Sequence, residues 1–257
     1  MRKRRSIRKP LLITGIVLVL IATAVLFRAW YLPSLQHARL GGLDCGGSCG
    51  DRLWVHRTNT LERYALLRDK FKGFELDVMY VDSIRALQVF HPPISPGEQV
   101  PVLAQFLGQA DSSHRFWLDI RDLDSNNVSN ALNVLRAADP ADLIRRNGIV
   151  ELYDEIAAST LAAAGYCVSF NVWPGFAARM RSDSLFADHM RRLLKDVRYV
   201  SREAEAIPML KELFPGKKII TWEPGLRHFI DRSSLRVLLR DSSVEVILVT
   251  IESRHYR

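Results

Sequence analysis

The sequence predicts an α/β fold in which eight parallel strands close into a barrel covered by helices, a (β/α)8 barrel. Two patterns support this prediction. Short segments of nearly continuous aliphatic character alternate with amphipathic segments, as expected for parallel strands that are covered by helices. The chain has 257 residues, which is enough for one barrel and a small appendage.

The predicted strands can be placed along the chain. The first ends at His56-Arg57, and the second belongs to a strand, turn and short strand within residues 73–91. The others are 115–122, 149–153, 167–173, 197–202, 217–222 and 244–249. Helices are predicted over 61–71, 102–110, 126–138, 156–164, 206–214 and 233–240, with an extended, largely helical connection over 174–196.

Charge is concentrated at the N-terminus. The formal net charge is +8, and six positive charges lie in residues 1–10, so only two remain for the rest of the chain. A basic patch on the folded part, as nucleic-acid binding requires, is therefore not predicted. Residues 1–10 are interpreted as a basic cytoplasmic tail.

An apolar stretch follows this tail. Residues 11–27 carry no charge, and with Trp30 and Tyr31 they predict a transmembrane signal anchor over residues 11–32. Cleavage of a signal peptide after Ala22-Thr-Ala24 is the alternative. Both interpretations export the folded part, and the anchor predicts a single-pass membrane protein with a cytoplasmic N-terminus and a periplasmic or extracellular barrel.

The cysteines fit an exported protein. Residues 33–50 form a Gly-rich linker before the barrel domain at residues 51–257, and Cys45 and Cys49 are predicted to close a small disulfide loop there. A metal site and a redox pair are the alternatives for these two cysteines. Cys167 lies in an apolar strand and is predicted to be a buried free thiol.

The strongest functional signal lies in the second strand. Alternation along an extended chain puts Glu75 and Asp77 on one face, and Phe74, Leu76 and Val78 on the other. Two carboxylates on an apolar strand are costly to bury unless a cation compensates them. The alternative is an edge strand on which both carboxylates are solvated.

Two neighbouring strands carry polar groups in similar positions. His56 and Arg57 end the first strand, and Asn59 or Thr60 is predicted to cap the next helix. Asp119 and Arg121 share one face of the strand 115–122. The carboxyl ends of barrel strands are where such folds keep their chemistry, so these side chains are predicted to meet.

The order of these motifs resembles a known superfamily. His-Arg at 56–57, Asn-Thr-Leu at 59–61, Glu-Leu-Asp-Val at 75–78, Val-Phe-His at 89–91 and Leu-Asp-Ile-Arg at 118–121 resemble the glycerophosphodiester phosphodiesterase and phospholipase C-like superfamily. The menorin-type branch is the most similar, and 170–175 is a weaker likeness to it. Asp119 stands where the diesterases often have Glu, and Arg121 where Lys is usual.

The resemblance and the side-chain chemistry together predict a site. Glu75, Asp77 and Asp119 would hold one divalent cation, Ca²⁺ or Mg²⁺, since all the ligands are oxygens. The resemblance implies that His56 and His91 are the general acid and base. Arg57 and Arg121 are predicted to bind the phosphate. The predicted pocket lining is Asn171, Trp173 and Trp222.

The function predicted from the sequence is a membrane-anchored, metal-dependent phosphodiesterase that acts on a glycerophosphodiester or a phospholipid headgroup. The first alternative is an exported binding or scaffolding domain that keeps the barrel without turnover. A disulfide-exchange protein that uses Cys45 and Cys49 is a weaker one. Metal content together with turnover of a generic diester separates these hypotheses.

Overall fold

The computed structural model describes residues 8–26, 49–94, 99–222 and 232–251. Its strands form one sheet in the order β1-β9-β8-β7-β6-β5-β4-β2-β3. The strands are β1 (Leu53–Val55), β2 (Gly73–Val81), β3 (Ala86–Val89), β4 (Arg115–Ile120), β5 (Ile149–Leu152), β6 (Val168–Asn171), β7 (Tyr199–Glu203), β8 (Lys218–Trp222) and β9 (Val244–Val249).

The sheet closes into a barrel. β1 pairs in parallel with both β9 and β2, so the eight strands other than β3 form an uninterrupted parallel ring. β3 pairs antiparallel with β2, with Val78 opposite Val89, and extends the sheet outside the ring. The predicted parallel barrel is confirmed, including the strand, turn and short strand in residues 73–91.

Two helices precede the first strand, and from β1 onward helices alternate with the strands. The helices are α1 (Arg8–Leu26), α2 (Cys49–Arg52), α3 (Leu61–Leu67), α4 (Leu103–Leu107), α5 (Val128–Ala138), α6 (Leu143–Asn147), α7 (Glu155–Ala163), α8 (Pro174–Ser182), α9 (Ser184–Leu193), α10 (Ile207–Leu213) and α11 (Arg232–Arg240). The predicted helices are confirmed, mostly with shorter bounds. The predicted connection over 174–196 is α8 and α9, and Asp183 begins α9 by accepting the Phe186 N–H at 3.0 Å.

The barrel has two apolar layers. Outward-facing strand residues such as Leu76, Val78 and Leu118 pack with the helices in one large core. The inward-facing residues form a smaller second core inside the ring, made of Trp54, Trp117, Ile149, Tyr199, Ile220, Val246 and Leu248. Alternation along the strands therefore gives each strand an outward face that packs with the helices and an inward face that combines aromatic, aliphatic and polar side chains.

Trp54 plugs the amino end of β2. A Cβ atom on Gly73 would lie 2.1 Å from the Trp54 ring, so only glycine leaves room for the indole at this position. Above Gly73, the inward positions of β2 are Glu75 and Asp77. The inside of the barrel is thus filled with aromatic rings at one end and with carboxylates nearer the carboxyl end.

Several expectations concern the chain before the barrel. Among the described residues, no helix has the combination of length and apolarity that crossing a membrane requires. Cys45 lies outside the described residues, so its pairing with Cys49 stays a prediction. Cys167 is a free cysteine, as predicted, but it is half-buried and not buried. It packs against the inner core of the barrel.

Candidate active site

Three carboxylates meet at the carboxyl end of the barrel. Glu75 and Asp77 lie on β2, and Asp119 lies on β4 directly beside Asp77 in the strand register. Their exposed fractions are 2%, 3% and 5%. One carboxylate oxygen from each lies within 4.8 Å of the other two. The alternative of a solvated edge strand is wrong, because β2 is paired with β1, β3 and β4.

Each carboxylate has an identifiable donor. Glu75 accepts the backbone N–H of Arg57. Asn59 donates its Nδ2 to Asp77 Oδ2 at 2.7 Å and accepts the backbone N–H of Asp77 at its own Oδ1, at 2.9 Å. Asp119 Oδ2 accepts from Arg121, whereas Asp119 Oδ1 is buried without a hydrogen-bond partner. These donors therefore orient the three carboxylates, but they leave one carboxylate oxygen without a hydrogen bond.

The electrostatics of the cluster follow from its burial. Burial raises the pKa of the Glu75 carboxyl well above its usual range, and the charges of Asp77 and Asp119 raise it further. Burial also raises the pKa of the Asp119 carboxyl, although the hydrogen bond and charge of Arg121 oppose that shift. Converging buried carboxylates with an unpartnered oxygen fit a hard divalent cation, which prefers oxygen ligands. The residues present thus fit the predicted metal.

His91 is held in a defined tautomer. Its Nδ1 lies 2.7 Å from the Pro92 carbonyl oxygen, which can only accept a hydrogen bond. Its Nε2 lies 3.3 Å from the Arg57 Nη2, which can only donate. The neutral ring therefore carries its proton on Nδ1 and turns the Nε2 lone pair toward Arg57. A substrate oxygen placed beside Arg57 would meet that lone pair.

His56 lies next to Glu75. Its Nε2 is 4.0 Å from Glu75 Oε2, and its side chain is 24% exposed. Burial lowers the pKa of the His56 imidazole to about 3, and the positive charges of Arg57, Arg63 and Arg121 add to that effect. The ring is therefore neutral at physiological pH in the metal-free protein, and its surroundings oppose protonation.

Both predicted phosphate-binding arginines contact the carboxylates, Arg121 through its side chain and Arg57 through its backbone N–H. Arg121 donates to Asp119 Oδ2 from Nε at 2.9 Å and from Nη2 at 2.6 Å, and its Nη2 lies 3.2 Å from Asp77 Oδ1. Arg57 adopts φ 55°, a left-handed conformation that is uncommon outside glycine. This conformation follows the end of β1 directly and lets the Arg57 N–H reach Glu75 while its guanidinium reaches His91.

Asn59 is a site residue that sequence reasoning missed. It was considered only as a helix cap, and the cap of α3 is Thr60, whose hydroxyl accepts the Arg63 N–H at 3.1 Å. The side chain of Asn59 instead clamps Asp77, because it donates to the Asp77 carboxylate and accepts the Asp77 backbone N–H. The sequence contained a signal for this role. Thr60 can cap the helix by itself, so the side chain of the neighbouring Asn59 remains available for a different hydrogen bond.

A second polar cluster lies inside the barrel next to Asp119. Glu151 of β5, which lies beside Asp119 in the register, is 2% exposed. It accepts Trp117 Nε1 at 3.0 Å, Asn171 Nδ2 at 3.1 Å and the Ser201 hydroxyl. Burial and the Asp119 charge raise the pKa of Glu151 to about 8. Glu151 was not among the residues predicted for the site.

The three predicted pocket residues lie in different surroundings. Asn171 is buried within the Glu151 cluster. Trp222 stacks edge-on against Trp117 of the inner layer, with ring centroids 6.3 Å apart. Trp173 packs edge-on against Phe176 of α8 at 5.5 Å and is 37% exposed. The structure thus brings Asn171 and Trp222 to the inside of the barrel and Trp173 to its rim, and their contact with substrate stays a prediction.

The fold and the site together define a class: a (β/α)8 barrel with buried carboxylates, two histidines and two arginines at the carboxyl end of its strands. No family model matches the sequence. No curated protein matches it either.

Solved structures do match. The glycerophosphodiester phosphodiesterase from Thermotoga maritima is similar with a TM-score of 0.57 at 14% identity, over 78% of this chain and 94% of that chain. A glycerophosphodiester phosphodiesterase from Parabacteroides distasonis is similar with a TM-score of 0.55 at 12% identity, over 78% and 93%. The predicted resemblance is confirmed at the level of the fold, and the menorin-type branch stays a prediction.

The Asn59 clamp predicts a measurable effect. Asn59→Ala should weaken binding of Ca²⁺ or Mg²⁺ by roughly 10–100-fold, because a residue that orients a metal ligand contributes affinity on that scale. Thr60→Ala is the matched control in the adjacent position. It should leave metal binding unchanged and cost about 1 kcal/mol of stability through loss of the helix cap. Titration calorimetry of the two variants compares them, and equal metal affinities would contradict the clamp.

The raised pKa of Glu151 predicts a pH dependence of stability. The Glu151 carboxyl binds its proton more tightly in the folded chain than in the unfolded chain, where the pKa of glutamate is 4.5. The stabilisation that the protonated Glu151 provides is complete below pH 4.5 and is lost as the pH rises through about 8. His56 acts oppositely, but only below its unfolded pKa of 6.5. Urea unfolding of metal-free protein above pH 6.5 should therefore show stability falling with pH.

Glu151→Gln supplies the control for that measurement. It removes the titrating group and leaves a side chain of the same shape, so the fall in stability above pH 6.5 should become shallower. An unchanged slope in this variant would show that the pH dependence comes from other groups.

Proposed function

We propose that the chain is a divalent-metal-dependent phosphodiesterase that cleaves a glycerophosphodiester or a phospholipid headgroup by general acid and base catalysis. The observation that carries this proposal is the convergence of Glu75, Asp77 and Asp119, buried and within 4.8 Å of one another. Structural residues in a barrel interior are rarely three carboxylates with an unpartnered oxygen. The shared fold with glycerophosphodiester phosphodiesterases supports the same chemistry.

The proposed metal ligands are the three carboxylates. A divalent cation held by these carboxylates would supply positive charge for the phosphoryl oxygens. Ca²⁺ and Mg²⁺ are the candidates, because both prefer oxygen ligands. Asn59 holds Asp77 in orientation, and the Arg57 N–H holds Glu75.

The arginines bind the diester. Arg57 lies beside His91, so its planar guanidinium can orient a phosphate next to the His91 Nε2. Arg121 forms ion pairs with Asp77 and Asp119, and its side chain is 45% exposed. It adds a second positive charge at the same edge, where an anionic substrate would bind.

The two histidines share the proton transfers. His91 presents the lone pair of its Nε2 beside Arg57, and the Nε2 of His56 lies 4.0 Å from Glu75 Oε2. One removes the proton from the nucleophile, which is water or a hydroxyl group of the substrate, and the other protonates the leaving oxygen.

The membrane location is part of the proposal. The uncharged run after the basic tail supports an anchor over residues 11–32. The side chains of Ile16, Val17, Leu18, Val19, Leu20 and Ile21 are all exposed on α1, so this helix has an apolar surface of its own. We place the N-terminus in the cytoplasm and the barrel in the periplasm or outside the cell.

Turnover of a generic diester tests the function. The purified full chain is assayed with bis(p-nitrophenyl) phosphate after chelation, and then with Ca²⁺ or Mg²⁺ restored. The proposal expects turnover that chelation abolishes and the cation restores. Cation binding without turnover of this diester, of glycerophosphodiesters or of phospholipids would favour the binding or scaffolding alternative.

A further inference from the structure

The turn that follows β1 carries His56 and Arg57 of the candidate site. Its main chain is bound to both neighbouring strands of the ring. The His56 N–H donates to the Val249 carbonyl of β9 at 3.0 Å. The Thr58 N–H donates to the Glu75 carbonyl of β2 at 2.8 Å. The position of the two site residues therefore depends on how the backbone of this short turn is held.

The peptide unit that joins His56 to Arg57 is held at both of its ends. Its N–H belongs to Arg57 and donates to the Glu75 carboxylate. Its carbonyl oxygen belongs to His56 and accepts a hydrogen bond from Arg63 Nη2 at 3.3 Å. A cation at the carbonyl and an anion at the N–H favour the same orientation of the peptide dipole, so the two hydrogen bonds strengthen each other.

Arg63 reaches this peptide from α3, and its side chain is fully buried. The same Nη2 donates to the Ile251 carbonyl at 2.7 Å. Ile251 follows β9 and His56 follows β1, so one guanidinium joins the segments that leave two adjacent strands at the carboxyl end of the barrel. Its planar group carries several donors in fixed directions, which suits contact with two carbonyls. Burial of its charge is costly, and apolar packing would fill the same volume without that cost.

We propose that Arg63 is a positioning residue of the candidate metal centre and acts through the peptide between His56 and Arg57. Its hydrogen bond fixes that peptide in the orientation that directs the Arg57 N–H to the Glu75 carboxylate. The same peptide leads into the left-handed backbone of Arg57, from which the Arg57 guanidinium reaches His91. Arg63 itself contacts neither cation nor diester. This inference rests on the proposed function and deepens it, since it names a residue that supports the metal ligands.

The alternative is a purely structural role, in which Arg63 only closes the barrel between β1 and β9. Arg52 provides a matched control for that role. Its guanidinium also donates to backbone carbonyls, those of Leu239 at 2.6 Å, Asp241 at 3.2 Å and Val244. Arg52 directly precedes β1, so these contacts lie at the amino end of the barrel, opposite the carboxylates. Loss of either arginine should lower the melting temperature, but only one of them is connected to a metal ligand.

Cation affinity separates the two roles. Arg63→Met and Arg52→Met each remove every donor and keep an unbranched side chain. The chelated full chain of each variant is titrated with Ca²⁺ and with Mg²⁺ by calorimetry, below its melting temperature. Arg63→Met should bind the cation roughly 10–100-fold more weakly than wild type, the scale on which groups that orient a metal ligand contribute. Arg52→Met should bind it with wild-type affinity.

Arg63→Lys tests the same contact with a milder change. The lysine keeps the positive charge but has a compact ammonium in place of the planar fork, so it should restore part of the affinity that Arg63→Met loses. If Arg63→Met does not fold, Arg63→Lys decides alone. An affinity below that of wild type supports the proposal, and wild-type affinity overturns it.

A second readout uses the metal-free protein. Exchange of the Arg57 amide proton with solvent is measured by NMR in the full chain. In Arg63→Met this proton should exchange roughly tenfold faster or more, because the peptide is no longer held at its carbonyl. The Phe90 N–H, which donates to the Asp77 carbonyl at 2.9 Å, is the internal reference and should be unchanged. Arg52→Met should alter neither proton.

The outcomes distinguish this proposal from the proposed function. Equal cation affinities in Arg63→Met and Arg52→Met would overturn the role of Arg63, even if the wild-type chain cleaves diesters. A wild-type chain that binds the cation and cleaves no diester would refute the proposed function. In that case a weaker affinity in Arg63→Met, with faster exchange of the Arg57 amide, still establishes Arg63 as a positioning residue of the metal centre.

Discussion

Glu75→Gln is expected to reduce affinity for Ca²⁺ or Mg²⁺ sharply and to reduce diester turnover with it. The change keeps the shape of the side chain and removes one of the three negative charges that a cation would bind. The fold should survive and the metal-free protein should become more stable. Burial and the neighbouring Asp77 and Asp119 charges raise the pKa of this carboxyl, so its ionised form is costly in the native state.

Glu151→Gln is the matched control for Glu75→Gln. It replaces another buried glutamate of the barrel interior, one whose oxygens are occupied by Trp117, Asn171 and Ser201. It should leave the number of bound cations unchanged. Titration calorimetry and thermal unfolding compare the two variants, and a Glu75→Gln protein that binds the cation as wild type does would remove Glu75 from the metal site.

His91→Ala is expected to behave differently from Glu75→Gln. It should reduce turnover by about 10²–10⁴-fold, the range typical for loss of a general acid or base, and it should retain the cation. The reason lies in the tautomer. The Pro92 carbonyl fixes the proton on Nδ1, and Nε2 presents a lone pair beside Arg57, where the phosphate is proposed to bind.

His189→Ala controls for removal of an imidazole. His189 lies exposed on α9, away from the site, and its loss should change neither turnover nor metal content. If His91→Ala lowered the melting temperature and the metal content while its remaining turnover per bound cation stayed at the wild-type value, His91 would be a structural residue.

The barrel could be predicted from the sequence because its signals are local. Parallel strands covered by helices read as short aliphatic runs, and segments such as 115–122 and 244–249 have that character. Alternation within β2 sorted Glu75 and Asp77 from Leu76 and Val78 correctly. The short helix α6 was missed, since its five residues are too few to show a helical period.

The site was predicted less completely, because the hydrogen bonds to its buried carboxylates join residues that are far apart in the sequence. Asn59 and Asp77 are 18 residues apart, and Glu151 and Ser201 are 50 apart, so no local pattern announces either contact. The ion pairs of Arg121 with the carboxylates also went unpredicted, because the sequence suggested only a contact with phosphate. The sequence indicated that the polar side chains of each strand share one face, whereas their hydrogen-bond and ion-pair partners became known only from the closed barrel.

The central claim is a divalent metal centre formed by Glu75, Asp77 and Asp119. Its most direct test is titration of the chelated wild-type chain with Ca²⁺ and with Mg²⁺, with elemental analysis of the protein after removal of unbound ions. The account predicts one bound divalent cation per chain, lost in Glu75→Gln and retained in His91→Ala. A wild-type chain that binds no divalent cation at millimolar concentration would contradict it.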